Sequence, residues 1–477
     1  MYLNDLIKNI DILERIGDAN PEITGVHYNS STVKKGGIFV AIEGFKTDGH
    51  KYIPDAIARG AVAVICSRLT EGLDAVQLRV SDCRKAEAVV SAEFFDNPSR
   101  KFNLIGVTGT NGKTTVTHLV KHILDYCGYT TGLIGTNHNI IGDKVLETGR
   151  TTPDSFELQK LFADMADAGV DYTIMEVSSH ALYLSRVYGC EFEVGAFTNL
   201  TQDHLDFHGT MDEYAKAKAM LFDISKNAVI NADDTYGKNM AVSCPCICTT
   251  YGTHEADVSA HDIILGQNGV EFSVGEEKFT LDIPGDFSVY NALCAISVCQ
   301  RLGLKNEDIR NALATAGGVK GRAEVVDIGN RDYTVMIDYA HTPDGIENIL
   351  KTAKGFAKGR VVIVFGCGGD RDNTKRPIMG SIAGSLADFC IVTSDNPRTE
   401  NPASIIAMIE EGIKKTTQNY IVIEERRDAI KYALENALSG DVIILAGKGH
   451  ETYQILNSGT IHFDEREIVR SILGLEE

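Results

Sequence analysis

A glycine-rich loop between a predicted strand and a predicted helix constrains the fold of this chain more than any other feature. Residues 108–115 read TGTNGKTT, directly after an apolar run over 103–107 and at the start of a helical pattern over residues 113–126. In such a loop the backbone N–H groups can surround phosphate oxygens, and the helix N-terminus adds partial positive charge. Lys113 can reach the β and γ phosphates, and the Thr114 hydroxyl can ligate Mg²⁺. The loop predicts a nucleotide-binding α/β domain, although Val107 stands where the common pattern has its first glycine.

Short apolar runs alternate with helical patterns along most of the chain. After residue 100 the predicted strands cover residues 103–108, 172–177, 194–197, 228–231, 333–338, 361–366, 389–393 and 441–446. Strands separated by helices indicate largely parallel sheets with helices on both faces, and such sheets bind ligands at the carboxyl ends of their strands. The sequence predicts two open α/β sheets after an initial mixed αβ segment.

The length and two turn-rich stretches predict three domains. A chain of 477 residues corresponds to about three domains at roughly 150 residues each. Residues 96–100 (DNPSR) predict one boundary, and the glycine-rich residues 316–321 predict a hinge. The expected domains are residues 1–100, 101–318 and 319–477.

The charge balance disfavours a nucleic-acid-binding protein. The chain has 46 Lys and Arg against 66 Asp and Glu, a net charge of −20, whereas such proteins carry a basic face. No apolar run reaches the roughly 18 residues of a membrane helix, and the start has no signal-peptide pattern. We expect a cytoplasmic monomer that binds no nucleic acid and does not insert into a membrane.

The eleven cysteines are expected to be reduced thiols, as is usual in the cytoplasm. Cys244, Cys246 and Cys248 would share one face of an extended segment. No Cys or His partner follows at zinc-finger spacing, so the sequence gives little support for a metal site there. The role of these three residues stays open.

Acidic, amide and histidine side chains follow two of the predicted strands. Glu176 ends one of them, where a carboxylate that organises Mg²⁺ would lie, although a solvated strand-end acid gives the same pattern. Residues 199–208 follow another strand and contain two histidines and two aspartates, which suits a polar site. In the predicted helix over 211–222, composition does not distinguish Lys216 from Lys218.

The order of these motifs resembles that of the Mur ligases, which build the peptide stem of bacterial peptidoglycan. The motifs are residues 108–115, 176–180, 199–208 and 214–218, followed by 290–292 (YNA), 321–322 (GR) and 338–343 (DYAHTP). The resemblance spans essentially the whole chain. It implies an α/β fold with an N-terminal mixed αβ UDP-sugar domain, a central P-loop ATPase-like domain with a parallel sheet, and a C-terminal Rossmann-like open sheet.

Within this family, the run Asp395-Asn396-Pro397-Arg398 is similar to that of members that add meso-diaminopimelate rather than lysine. Diaminopimelate has a far carboxylate that lysine lacks, and an arginine can hold it in a bidentate fork. The resemblance implies an ATP-dependent amide ligase that joins meso-diaminopimelate to UDP-MurNAc-L-Ala-D-Glu through an acyl phosphate. We expect the third domain to close over the second, because an acyl phosphate must be kept from water.

Two other classes of function stay open. One is a related ligase with another substrate, either lysine-adding or similar to folylpolyglutamate synthase. The other is a binding protein that ATP switches without catalysis. Such a protein would need the phosphate loop but not Lys218, Arg371 and Arg398 together.

The resemblance also implies roles for individual residues. Those that match ATP contacts are Gly109, Thr110, Asn111, Gly112, Lys113, Thr114, Thr115, Asn291, Arg322 and Asp338. Those that match contacts to the UDP-MurNAc dipeptide are Ser30, Thr151, Thr152, Ser178 and Arg186. Those that match contacts to meso-diaminopimelate are Arg371, Asp395, Asn396, Pro397, Arg398, Gly447 and Glu451.

The implied metal-site positions are Thr114, Glu176, His204 and Lys218. Lys218 matches the family's carbamylated lysine, N6-carboxylysine. Carbon dioxide would convert its neutral amine into a carbamate that binds Mg²⁺, and burial would favour the neutral amine. The implied catalytic residues are Lys113, Lys218 and His204.

The chain departs from the family pattern at three places. Residues 29–31 read NSS where Asp-Ser-Arg is common, residues 45–47 read FKT where some members have His-Gln-Ala, and Arg150 replaces an asparagine before the paired threonines. The UDP-sugar contacts of the replaced residues, Asn29, Ser31, residues 45–47 and Arg150, are therefore not carried over, whereas Ser30 matches the family pattern.

Overall fold

The chain forms three units, each built around its own sheet, which confirms the predicted α/β class. The computed structural model describes residues 1–44, 47–266 and 269–475. Residues 45 and 46, part of one departure from the family pattern, lie outside these ranges. None of the helices in the described ranges has the length and apolar character needed to cross a membrane.

The first unit is a mixed sheet with helices packed on it. Its elements are α1 (Leu3–Leu6), β1 (Ile12–Ile16), β2 (Gly25–His27), β3 (Gly37–Val40), α2 (Ile53–Ala58), β4 (Ala61–Cys66), β5 (Val76–Val80) and α3 (Cys83–Phe94). The strand order is β1-β5-β4-β3-β2, and the pairs are parallel except β1 with β5. Helix α3 begins there because Asp82 accepts hydrogen bonds from two backbone N–H groups of its first turn.

The central unit contains the phosphate loop and the longest sheet. Its elements are β6 (Asn103–Thr108), α4 (Lys113–Tyr126), β7 (Thr131–Ile134), β8 (Asn139–Ile141), β9 (Lys144–Leu146), α5 (Ser155–Asp167), β10 (Tyr172–Glu176), α6 (Ser179–Tyr183), β11 (Phe192–Phe197), α7 (Leu205–His208), α8 (Met211–Ala219), β12 (Ser225–Asn231), α9 (Thr235–Val242), β13 (Ile247–Gly252), β14 (Val258–Leu265), β15 (Val270–Val274), β16 (Glu277–Leu281), α10 (Asp286–Arg301) and α11 (Asn306–Leu313). Strand β6 and helix α4 confirm the predicted strand, loop and helix.

The central sheet has the order β16-β15-β14-β13-β12-β11-β6-β10-β7-β8-β9. Pairing is parallel from β7 to β14, as predicted, and hairpins extend both edges in antiparallel fashion. Gly142 and Gly275, with φ of 56° and 60°, supply the left-handed conformation at the turns of two hairpins. The apolar face of α4 packs on this sheet and on α10, which fixes the phosphate loop at the carboxyl end of β6.

The third unit is a second open sheet. Its elements are β17 (Glu324–Val326), β18 (Thr334–Asp338), α12 (Pro343–Phe356), β19 (Val361–Phe365), α13 (Lys375–Leu386), β20 (Phe389–Val392), α14 (Pro402–Ile413), β21 (Tyr420–Val422), α15 (Arg426–Glu435), β22 (Val442–Ala446), β23 (Tyr453–Leu456), β24 (Gly459–His462) and α16 (Glu465–Leu473). The order is β17-β18-β22-β19-β20-β21, parallel except for β17, and β23 pairs with β24. The residues at which one domain ends and the next begins stay a prediction.

Candidate active site

Three cavities contain most of the predicted site residues. The first cavity, of about 320 Å³, lies between the phosphate loop and the third unit. The second cavity, also of about 320 Å³, shares part of that loop and extends to α10 and α12. The third cavity, of about 680 Å³, lies between the first and central units. The predicted residues that line the first cavity are Thr110, Asn111, Gly112, Lys113, Thr114, Thr151, Glu176, His204, Arg322, Arg371, Asp395, Asn396, Arg398, Gly447 and Glu451.

The phosphate loop is closed tightly around its own glycines. Gly109 and Gly112 have φ of 147° and 85°, and a Cβ on them would lie 1.8 Å from Thr198 Oγ1 and 2.5 Å from Asn291 Oδ1. Neither position has room for a side chain. Lys113 Nζ donates hydrogen bonds to the carbonyl oxygens of Gly109 at 2.9 Å and Thr110 at 2.8 Å. The loop itself therefore holds the lysine beside the first cavity.

Glu176 and Thr114 form a buried hydrogen-bonded pair beside the phosphate loop. The Thr114 hydroxyl donates to Glu176 Oε1 at 3.0 Å, and the Thr136 N–H and hydroxyl donate to the same carboxylate at 2.8 and 2.9 Å. Arg322 Nη2 donates to Thr114 Oγ1 at 3.0 Å. These donors stabilise a carboxylate that is only 1% exposed. Glu176 lies at the strand end, as predicted, but it is buried, so the alternative of a solvated acid is wrong.

Lys218 is a buried lysine on α8. It is 1% exposed, and its Nζ donates to the Gly109 carbonyl at 2.7 Å and lies 4.5 Å from the centroid of the Tyr214 ring. Burial, reinforced by the nearby Lys113 charge, holds the pKa of Lys218 well below its usual value. By contrast, Lys216 is exposed and paired with Glu213. Geometry thus separates two lysines that composition could not.

Asp203 connects His204 to the third unit. Its Oδ1 accepts the His204 backbone N–H at 3.0 Å, and its Oδ2 lies 3.3 Å from His204 Nε2. From the third unit, Lys375 Nζ donates to Oδ1 at 3.3 Å, and His341 Nε2 lies 3.9 Å from Oδ2. Burial lowers the pKa of both His204 and His341, so both rings are neutral at neutral pH.

Arg371 and Arg398 lie on two loops of the third unit that face the first cavity. Arg398 Nη1 donates to the Gly369 carbonyl at 2.8 Å, and Arg371 Nη1 donates to the Asp370 carbonyl at 3.0 Å. Each bond occupies one nitrogen of a fork that has several donors. Arg398 has φ of 53°, a left-handed conformation that costs a non-glycine residue free energy. Such strain is common at functional sites.

Asp395, Asn396 and Glu451 form a buried polar wall beside these arginines. Asn396 Nδ2 donates to Glu451 Oε2 at 2.8 Å, and the Asn396 N–H donates to Asp395 Oδ1 at 2.7 Å. Gly447 has φ of 115°, and a Cβ there would lie 2.6 Å from Asp395 Oδ2. Pro397 is not among the described residues that line the first cavity.

Asn291, Arg322, Asp338 and Thr115 line the second cavity. The carboxylate of Asp338 accepts the backbone N–H groups of Ala323 at 2.6 Å and Ala340 at 2.7 Å. The Arg322 guanidinium lies 4.7 Å from the centroid of the Tyr339 ring. Residues from both sides of the predicted hinge therefore meet around one cavity.

The predicted contacts to the UDP-MurNAc dipeptide are divided. Ser30 and Arg186 line the third cavity, together with Arg84 and Arg150, whereas Thr151 lines the first. The Thr152 hydroxyl donates to the Glu176 carbonyl at 2.8 Å, and Ser178 accepts the N–H of Ala181 as the N-cap of α6. Both side chains bond to backbone, and neither Thr152 nor Ser178 is among the described residues that line these three cavities.

The donors around Thr114 and Glu176 fit Mg²⁺ that is held in part by substrate phosphates. The residues that the structure describes contain no group of three or more His, Cys, Asp or Glu side chains able to hold a metal by themselves. Mg²⁺ is usually bound by one or two carboxylates, substrate phosphates and water rather than by an all-protein cage. One carboxylate and one hydroxyl beside a phosphate loop are such a donor set.

Four buried lysine and arginine residues in the described part of the third unit were not predicted from the sequence. They are Lys375, Arg376, Arg426 and Lys448, and each is less than a tenth exposed. Lys448 lies between Gly447 and Glu451, for which the resemblance implies contacts to the amino acid, whereas it implies none for Lys448. Hydrophobic periodicity does not predict a buried lysine or arginine, because the pattern treats every charged residue as a surface position.

The eleven cysteines are free thiols. Cys244 Sγ and Cys246 Sγ lie 3.7 Å apart, and both pack with Cys248 against an apolar cluster around α8 and α9. These three cysteines are not among the described residues that line the three cavities.

Comparison with known proteins gives matches along nearly the whole chain. The Mur ligase family catalytic domain matches residues 22–99, the Mur ligase middle domain matches residues 107–299, and the Mur ligase glutamate ligase domain matches residues 321–449. A UDP-N-acetylmuramoyl-L-alanyl-D-glutamate–2,6-diaminopimelate ligase of Caldanaerobacter subterraneus subsp. tengcongensis is 53% identical, with all of both chains covered. A protein of Clostridium acetobutylicum with that name is 49% identical over 99% of each chain.

Solved structures give the same result. The structure of a UDP-N-acetylmuramoyl-L-alanyl-D-glutamate–2,6-diaminopimelate ligase has a TM-score of 0.70 at 32% identity, over 99% of each chain. A Mycobacterium tuberculosis folylpolyglutamate synthase complexed with ADP and AMPPCP has a TM-score of 0.65 at 18% identity, over 82% of this chain and 96% of that one. The second likeness concerns the fold alone.

Proposed function

The chain belongs to the Mur ligase family, and from this membership we propose that it joins meso-diaminopimelate to UDP-MurNAc-L-Ala-D-Glu at the expense of ATP. Relatives about half identical over the full length carry the name of that ligase. One observation carries the proposal: Lys113 of the phosphate loop and Arg398 of the third unit line the same cavity. A site that spans both can activate an acid at one end and hold an amine at the other.

The first chemical step is phosphoryl transfer. A γ-carboxylate oxygen of the D-glutamate attacks the γ-phosphorus of ATP, the bond to the β,γ-bridging oxygen breaks, and ADP leaves. Lys113 and the guanidinium of Arg322 offset the charge that develops on the transferred group. The loop N–H groups and the N-terminus of α4 position the phosphates. The product is an acyl phosphate.

Thr114 and Glu176 would hold Mg²⁺, together with the phosphates of ATP. Bound there, Mg²⁺ would neutralise charge on the β and γ phosphates. We assign the neutral ring of His204 and a carbamate on Lys218 to a second metal position. The neutral amine that carbamylation requires is favoured by the burial of Lys218 and by the Lys113 charge, both of which lower its pKa.

The second step forms the amide bond. The amine of diaminopimelate attacks the acyl carbon, the bond from that carbon to the phosphate oxygen breaks, and phosphate leaves as the amine loses a proton. Arg398 and Arg371 hold the carboxylates of the amino acid. Glu451 and Asp395 supply acceptors for its far ammonium group. Ser30, Arg186 and the neighbouring arginines of the third cavity suit the anionic nucleotide part of the other substrate.

Two relatives remain the alternatives. A lysine-adding ligase would leave Arg398 beside the ammonium group of lysine, which the guanidinium repels. A folylpolyglutamate synthase is supported only by a likeness of fold at 18% identity. Neither alternative accounts for an arginine at position 398.

Isotope transfer tests the acyl-phosphate route. UDP-MurNAc-L-Ala-D-Glu with ¹⁸O in the γ-carboxylate should pass one ¹⁸O to each phosphate released, because the acyl C–O bond breaks in the second step. Mass spectrometry of the phosphate and of the amide product measures both outcomes. Product formation with unlabelled phosphate would rule out the acyl phosphate.

A further inference from the structure

A fully buried lysine lies behind the wall of the first cavity that faces the amino acid. Lys448 is 0% exposed, and its Nζ donates to Asn396 Oδ1 at 3.1 Å, Glu451 Oε2 at 3.2 Å and the Tyr453 carbonyl at 2.8 Å. An ammonium group has three donors, and each of them has an acceptor here. Burying an unpaired charge would be costly, so this arrangement depends on all three partners.

Lys448 fixes the orientation of the Asn396 amide. Ammonium and backbone N–H groups only donate, and Asn396 Oδ1 accepts from Lys448 and from the Ile455 N–H at 2.9 Å. The amide nitrogen must then point the other way, where it donates to Glu451 Oε2. In a flipped amide, the Asn396 NH₂ group would face two other donors, Lys448 and the Ile455 N–H. Without Lys448 it would face only the Ile455 N–H, so the flipped orientation would be less strongly disfavoured.

Lys448 also fixes the position of Glu451 and acts on its pKa. Both Asn396 and Lys448 donate to Oε2, and Oε1 accepts from neither of them. Burial raises the pKa of Glu451, and the Lys448 charge opposes that rise. The other groups that act on Glu451 are Asp395, Tyr339 and Tyr453, together with Arg426 on α15.

We propose that Lys448 is a positioning residue for the amino-acid substrate: it orients Asn396 and holds the Glu451 carboxylate in place to receive the far ammonium group. The inference rests on the proposed function. Arg398 selects the far carboxylate of diaminopimelate, and Lys448 acts through Glu451 on the ammonium group of the same end. The far end of the substrate is thus recognised directly by Arg398, which binds its carboxylate, and indirectly by the buried Lys448, which positions Glu451.

The test is a double-mutant cycle of Lys448→Met with Glu451→Gln. Lys448→Met should raise the KM for diaminopimelate roughly 10- to 100-fold, the range for losing a charge-assisted hydrogen bond, and leave the KM for ATP unchanged. Glu451→Gln should raise the same KM. In the Glu451→Gln background, Lys448→Met should add less than about threefold, because both changes remove one interaction.

Controls separate this role from folding and from failure of the proposed function. Lys431→Met removes a lysine that is 56% exposed on α15 and should change no kinetic constant. Turnover of the wild type with diaminopimelate is measured alongside. If the wild type does not turn over, the proposed function is contradicted rather than the role of Lys448. If Lys448→Met lowers thermal stability too far for kinetics, Lys448→Gln keeps hydrogen-bond donors and should show a smaller rise in the same KM. Independent effects in the cycle, or equal rises in the KM of all substrates, would overturn the inference.

The pH profile gives a readout that a purely structural role would not move. Removal of Lys448 lets the pKa of Glu451 rise, and a protonated Glu451 no longer pairs with an ammonium group. On acidification, the KM for diaminopimelate should therefore begin to rise at a higher pH in Lys448→Met than in the wild type. Coincident profiles would contradict the proposed role.

Discussion

Lys218 shows at the scale of a single residue how surroundings decide chemistry. It and Lys216 lie on one helix two positions apart, yet one is buried against the phosphate loop and the other is 72% exposed. Burial lowers the pKa of the Lys218 amine, whereas the hydrogen bond to Glu213 raises that of Lys216. Burial thus favours, at Lys218 alone, the neutral amine that reacts with carbon dioxide. The choice of Lys218 was an expectation from resemblance, because composition gave no preference between the two lysines.

Replacing Lys218 tests the carbamate. Lys218→Ala should lower kcat roughly 100-fold or more, as expected for loss of a charged group that stabilises a phosphoryl transition state. The matched Lys216→Ala should keep wild-type activity. In buffer depleted of carbon dioxide, wild-type activity should fall and return with bicarbonate, as followed by phosphate release. Activity that ignores carbon dioxide would exclude the carbamate.

Replacing Arg398 tests the choice of amino acid. Arg398→Lys keeps the charge but loses the bidentate fork, so the KM for diaminopimelate should rise roughly 10- to 100-fold while the KM for ATP stays constant. Steady-state kinetics with each substrate varied in turn measure this. An unchanged KM for diaminopimelate would remove Arg398 from the site.

Residues of the candidate site were predictable where a motif gives them a fixed chemical task. The phosphate loop, Glu176 and His204 come together in one cavity. Thr152 and Ser178 instead bond to backbone, which no motif could reveal. Three of the four buried cations were missed because their acidic partners lie far away in sequence, as Asp203 does from Lys375.

At the scale of elements, strands and helices with a strong period were predictable. Helix α4 spans the residues expected from its apolar face, and the buried strands β6, β10 and β19 begin and end within a residue of expectation. The edge hairpins of the central sheet were not predicted, because β8 and β9 have three residues each and the strands at both edges are only partly buried. Their order in the sheet depends on contacts that no local pattern encodes.

Helix α13 gives a prediction at this scale. Arg376 on this helix is 1% exposed and holds both carboxylate oxygens of Glu400, at 2.8 and 2.9 Å, beside the loop of Arg398. Arg376→Met should lower the free energy of unfolding by about 1–3 kcal/mol, as for a hydrogen bond to a charged group. The exposed Arg427→Met is the matched control and should change it by less than about 0.5 kcal/mol.

The pH dependence of this stability difference follows from Glu400. The side-chain hydrogen bond from Arg376 lowers the pKa of Glu400, so the pair stabilises the fold above the usual glutamate pKa and loses that effect as pH falls. Denaturant unfolding should show the difference between wild type and Arg376→Met shrinking from pH 7 to about pH 3. A difference that is constant over this range would contradict the ion pair as its source.

At the scale of the whole molecule, the central and third units are joined by contacts at the first and second cavities. Asn111 donates to Asp344 at 2.6 Å, Lys375 donates to Asp203 at 3.3 Å, and Arg322 reaches Thr114 across the predicted hinge. Three-domain architecture was predictable from length and turns, whereas these pairings were not, because each joins residues over 170 positions apart.

Closure of the third unit over the central unit is expected to depend on substrates, because the acyl phosphate must be kept from water, and these contacts would stabilise the closed arrangement. Small-angle scattering should give a smaller radius of gyration with a non-hydrolysable ATP analogue and UDP-MurNAc-L-Ala-D-Glu than without them. Lys375→Met should reduce that change, because it removes a buried interdomain ion pair. Identical scattering with and without ligands would contradict ligand-driven closure.

Amino-acid-dependent phosphate release tests the central claim most directly. The wild-type protein is given ATP, Mg²⁺ and UDP-MurNAc-L-Ala-D-Glu, with meso-diaminopimelate, L-lysine or no amino acid in parallel. The proposed function predicts continuous release with diaminopimelate alone, because Arg398 pairs with its far carboxylate. Release with lysine instead would keep the ligase and contradict the role of Arg398, and a folded, ATP-binding protein silent with both would contradict the proposed reaction.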